Sequence, residues 1–93
     1  MRYKDSFRRV LPPPPGMEEL AVRPMFPACD ACGEPFTSVA FGGSGNVNDT
    51  WLYELCVGCA ERMTTISGAE ANEFAARLGR TVELRYQTPH GRA

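Results

Sequence analysis

The sequence predicts a small α+β domain preceded by an extended, proline-rich arm. Three observations lead there. All four cysteines fall in two C-x2-C pairs with 23 residues between them. Two strand-like runs flank a glycine-rich segment between the pairs. After the second pair, helical spacing takes over and then gives way to alternation. The chain has 93 residues, 43% hydrophobic and 23% charged, which fits one folded domain. A core of this size is thin, and such domains commonly need a staple.

Residues 1–28 read as the arm. Six of the eight prolines lie there, including Pro12 to Pro15, and four consecutive prolines favour an extended polyproline II segment. The preceding SFRRVL is long enough for one helical turn only. The bland reading of the arm is a disordered leader. The sharper one is an arm that docks, because Phe7, Val10, Leu11, Met17, Leu20, Val22, Met25 and Phe26 offer apolar surface.

Residues 29–93 read as the domain. FTSVAF, residues 36–41, reads as a strand. GGSGNVND reads as a long, mobile turn. TWLYEL, residues 50–55, alternates, with Trp51, Tyr53 and Leu55 on one face, so a β-hairpin joins the cysteine pairs. Val57, Ala60 and Met63 then follow helical spacing. Ser67 and Glu70 match a capping box for a second helix over about 69–78. Ala71, Phe74, Ala75 and Leu78 form its apolar stripe, and Gly79 is its C-terminal cap. RTVELRYQT alternates and predicts a last strand, ended by Pro89.

The cysteines carry the chemistry. A C-x2-C clip brings two sulfurs to one ion through a tight turn, and Gly33 after Cys32 suits that turn. Cys29, Cys32, Cys56 and Cys59 therefore form a closed tetrahedral set for one structural Zn2+. Competing chemistries fit less well. Residues 1–11 are charged and lack the apolar run of an export signal, which disfavours structural disulfides. No thioredoxin-like βαβ context supports a redox pair. Haem attachment needs a His where Gly33 and Ala60 stand. An iron–sulfur cluster is chemically permitted by four cysteines but is the minority use.

AERM after Cys59 reads as a helix whose N-terminus stabilises a thiolate. A knuckle, a hairpin and a helix at the second clip resemble treble-clef zinc domains, such as the one at the start of the ClpX unfoldase chaperone. The resemblance covers roughly residues 29–66 and rests on Cys29, Cys32, Gly33, Cys56, Cys59 and the helix-like run after them. It implies a structural zinc and binding of adaptors or substrates. The longer hairpin, the arm, and the extra helix and strand depart from that family. A zinc ribbon is the alternative architecture.

An enzyme is not expected. Four thiolates leave no open position for water, and no deaminase, phosphate-loop or nucleophile-elbow motif stands out. The lone His90 reads as a solvated tail residue. Trp51, Tyr53, Phe36 and Phe41 read as core around the metal, and Arg77, Arg80, Arg85 and Arg92 as a solvated face. Residues 29–93 carry five Arg against eight acids, net −3, and the zinc centre adds about −2. Residues 1–28 are net +2 (five bases, three acids). An acidic body is a poor polyanion binder. A cytoplasmic protein-interaction module is thus expected, as an adaptor, an assembly subunit or a phage-type inhibitor of a host complex. Nucleic-acid binding is the alternative, and no run approaches a membrane span.

Overall fold

The computed structural model describes residues 6–11, 13–47 and 51–87. Pro12, residues 48–50, Pro89, His90 and Arg92, which figure in the sequence expectations, lie outside the described residues. The elements are β1 (Arg8–Arg9), a single 3₁₀ turn (Glu18–Leu20), β2 (Phe41–Val47), β3 (Trp51–Cys56), α1 (Val57–Thr65) and α2 (Gly68–Gln87). The three strands form one antiparallel sheet in the order β1-β2-β3. Among the described residues no helix is long and apolar enough to cross a membrane.

The hairpin is present, but its first strand is displaced. Residues 36–38 turn instead, with Ser38 N–H donating to the Pro35 carbonyl at 2.8 Å. The glycine-rich run expected as a turn is β2 itself, paired from Phe41↔Cys56 to Val47↔Trp51. The reason is close packing on both sides of the glycines. A Cβ on Gly42 would stand 2.5 Å from Val57 Cα, and one on Gly43 would stand 2.6 Å from the Arg8 carbonyl oxygen. Tertiary contact here overrides the low strand propensity of glycine.

Residues 6–10 lie along β2. Arg8 pairs with Ser44 and Arg9 with Gly43, and Val10 N–H donates to the Gly42 carbonyl at 3.0 Å. The Ser6 hydroxyl bridges the backbone of Asn46, accepting from its N–H at 2.8 Å and donating to its carbonyl at 3.1 Å. The Phe7 ring stacks parallel to Tyr53 with centroids 6.2 Å apart.

The expected C-terminal strand is instead the second half of α2, which runs without a break through Gly79 to Gln87. Its buried residues are Ala71, Phe74, Ala75, Leu78 and Val82, spaced i, i+3, i+4, i+7 and i+11. That helical stripe outweighs the period-2 pattern of residues 80–88, and a glycine inside a helix costs only about 1 kcal/mol. Thr81, a poor helix former, donates its hydroxyl to the Arg77 carbonyl at 3.2 Å.

α2 lies against β3, and α1 against β2 and β3. Tyr53, Leu55, Met63, Leu78 and Val82 are the largest fully buried side chains. The Tyr53 hydroxyl meets the Met63 sulfur at 3.8 Å. On α1 the buried face is Cys59, Ala60 and Met63, whereas Val57 is exposed. These layers enclose β3, whose last residue, Cys56, joins Cys59 in the first turn of α1 to form the second pair.

Candidate metal centre

The first pair sits in a loop. Ala28 and Pro35 form an isolated antiparallel bridge at its neck. Inside it, Cys29 N–H donates to the Glu34 carbonyl (2.9 Å), and Gly33 N–H donates to the Cys29 carbonyl (3.0 Å). Gly33 has φ +81°, a left-handed conformation that favours glycine, as the knuckle reading requires.

The second pair sits where β3 becomes α1. The helix begins one residue after Cys56, not at Cys59. Cys56 is the N-cap, and its sulfur accepts the Cys59 N–H at 3.5 Å. A thiol here occupies the place that a Ser or Asp oxygen usually takes. Both cysteines thus lie at the positive end of the helix dipole, where negative charge is favoured.

The fold brings all four sulfurs to within 4.8 Å of one another. The Cys32 and Cys56 sulfurs are 3.8 Å apart. Sulfurs at the corners of a tetrahedron with Zn–S bonds of about 2.3 Å would be about 3.8 Å apart. The four cysteines are therefore positioned to bind one metal ion. Cys29, Cys56 and Cys59 are buried, and Cys32 is exposed.

The sulfurs differ electrostatically. Burial acts to raise the Cys29 thiol, but backbone N–H groups from Cys32, Cys56 and Ala31 outweigh it and lower its pKa. Two of those donors, Cys56 N–H and Ala31 N–H, lie 3.3 and 3.4 Å from the sulfur. Burial pushes the Cys32 thiol up, partly offset by the Glu34 N–H. Burial pushes Cys59 well above the ordinary thiol range, and the negative charge of Cys29 adds to that. Cys29 is thus the sulfur whose negative charge the fold favours, while burial opposes negative charge on Cys32 and Cys59 until a cation is present.

A buried polar network supports the first pair. Asp30, between its cysteines, forms an ion pair with Arg85 of α2. The second Asp30 carboxylate oxygen also accepts Glu54 N–H at 2.9 Å, while Asp30 N–H donates to the Glu54 carbonyl at 2.9 Å. The Arg85 guanidinium stacks on Phe26, 3.9 Å from the ring centroid, and donates to the Leu52 carbonyl at 3.3 Å. The buried Glu54 carboxylate accepts N–H groups from Met25 (2.7 Å) and Phe26 (2.8 Å). The outer edge of β3 is thereby closed by the knuckle and by Arg85.

Sequence reasoning had not singled out Asp30 or Glu54, and it placed Arg85 on a solvated face. One signal was legible in the sequence: Leu78, Val82 and Arg85 continue the helical spacing of α2. The expected aromatic grouping is partly redistributed. Phe36 meets Phe41 edge-on at 5.6 Å, but Trp51 stacks on Tyr86 at 5.8 Å and Tyr53 on Phe7.

No protein-family model, curated protein or solved structure matches this chain.

Proposed function

We propose that this chain is a non-enzymatic, cytoplasmic protein-interaction module whose fold is stapled by one structural Zn2+ on Cys29, Cys32, Cys56 and Cys59. The observation that carries the reading is the closed set of four sulfurs within 4.8 Å. Four thiolates satisfy a tetrahedral ion and leave no position for water or substrate. The order of turn-borne pair, hairpin and helix-capping pair supports the treble-clef version of this site over a zinc ribbon.

The N-terminal segment supports the interaction reading. Leu11 is 81% exposed, and Val22 and Val57 are also exposed. A groove of about 380 Å³ runs between this segment and the sheet, lined by Val10, Leu11, Val22, Phe41 and Val57 among others. Exposed apolar side chains gathered at a groove are what a protein partner buries. An adaptor, an assembly subunit or a phage-type inhibitor of a host complex would each use such a surface.

The test is capture of partners from lysate of the source cells with and without nuclease treatment, comparing the intact chain with a Leu11→Asp/Val22→Asp variant. A stoichiometric protein held by the first and lost by the second supports the reading. Capture of nucleic acid alone, abolished by nuclease, overturns it in favour of nucleic-acid binding.

A further inference from the structure

We propose that Cys32 is the reactive thiolate of the metal centre: a modification site for small hydroperoxide oxidants, with Cys56 as its disulfide partner. The inference rests on the zinc reading given above.

The four sulfurs are not equally reachable or equally shielded. Cys32 is exposed, while Cys29, Cys56 and Cys59 are buried. Cys29 accepts N–H groups from Ala31 and Cys56, Cys56 accepts one from Cys59, and Cys32 draws on that of Glu34, so exposure rather than shielding sets Cys32 apart from Cys56. Each N–H draws charge from its sulfur and weakens it as a nucleophile. Access is built in. A hollow of about 90 Å³ opens beside the centre, bordered by Cys32, Cys59, Arg62, Glu70, Glu73 and Arg77. It admits a molecule as small as hydrogen peroxide. Of the two sulfurs that border it, Cys59 is tucked into the first turn of α1 and is buried.

The chemistry closes with peroxide as the oxidant. The Cys32 sulfur attacks one peroxide oxygen, an S–O bond forms, and the O–O bond breaks. The departing hydroxide takes a proton and becomes water. The Cys56 sulfur, 3.8 Å away, then attacks the Cys32 sulfur. The S–S bond forms, the S–O bond breaks, and a second hydroxide leaves and is protonated to water. Two thiolates lose two electrons, and one peroxide is reduced to two waters. The ion is left with two of its four sulfurs and departs. A thiol reductant returns both cysteines.

The experiment uses the full chain loaded with one equivalent of zinc. One equivalent of N-ethylmaleimide is added first, and the adduct is mapped by peptide mass spectrometry. A second sample receives hydrogen peroxide while zinc release is followed with a chromogenic chelator. The first adduct is expected on Cys32, and oxidation should release one zinc per Cys32–Cys56 disulfide. With release in the absence of peroxide subtracted, a Cys32→Asp variant, which removes the thiolate, should show peroxide-dependent zinc release at least about tenfold slower. If that variant fails to fold, the labelling order on the intact chain decides. A first adduct on any other cysteine, or a disulfide other than Cys32–Cys56, overturns the inference while leaving the zinc reading intact. A chain that binds no zinc overturns both.

Discussion

Cys29 and Cys32 lie in a loop, whereas Cys56 and Cys59 lie where a strand turns into a helix. The second pair is shaped by secondary structure. β3 brings Cys56 to its place, α1 starts on it, and the Val57 N–H is held by the Ala40 carbonyl at 3.0 Å. The first pair depends on partners far away in sequence: Glu54 on β3 and Arg85 near the end of α2, 55 residues beyond Asp30. One half of the centre is therefore organised locally and the other by tertiary contacts. The metal ion would join the two. This difference explains why a loop of so few residues carries a buried aspartate, whose ion pair with Arg85 substitutes for the regular structure that the second pair enjoys.

The comparison can be broken most severely at the ion itself. Cys56→Ser should abolish the centre while leaving an oxygen that can still cap α1, and the body should unfold, because structural zinc contributes about 10–16 kcal/mol of apparent binding energy. Circular dichroism and the melting temperature report it; a native spectrum and unchanged melting would show that the ion is dispensable. Next comes the support of the first pair. Asp30→Ala removes the carboxylate partner of the Arg85 guanidinium and of the Glu54 N–H, at a cost of about 3 kcal/mol, discounted because Arg85 is partly exposed. The expected signature is weaker zinc binding with α1 still helical. If denaturant melting moves by less than about 0.5 kcal/mol, the network is not what holds the loop.

A smaller effect probes the second pair. Gly42→Ala places a methyl group 2.5 Å from the Val57 backbone and should cost about 1–3 kcal/mol through the start of α1. Hydrogen exchange should accelerate at Val57 to Cys59 and not at Cys29 to Gly33. Equal acceleration in both would erase the distinction. The last probe is pH. Burial foremost holds Cys32 and Cys59 protonated in the metal-free state, so zinc must displace their protons. Affinity therefore rises with pH up to and beyond the ordinary thiol range near 9, and falls on acidification. A flat profile in competition titrations against a chelator contradicts this.

The candidate ligands were legible in the sequence because the ligand spacing is short-range: two residues within each pair fix a turn and leave little else to decide. The hairpin, α1 and the start of α2 were legible for a similar reason. What failed was everything set by distant contact. The run at residues 42–45 spells a turn, but its missing side chains make room for Val57 and for the Phe7–Arg8 segment, so it is a strand. The run at residues 80–87 alternates like a strand, but Val82, Arg85 and Tyr86 each find a partner only from one helical surface. Asp30 and Glu54 looked like ordinary surface acids, since nothing local marks a carboxylate whose partners are 24 to 55 residues away.

The most direct test of the central claim is a zinc titration of the chelator-stripped full chain under reducing conditions, read at once by native mass spectrometry and circular dichroism. Folding should be complete at one zinc per chain, with protons released as the ion binds. A stripped chain that is already folded, or a fold gained without stoichiometric zinc, would contradict it.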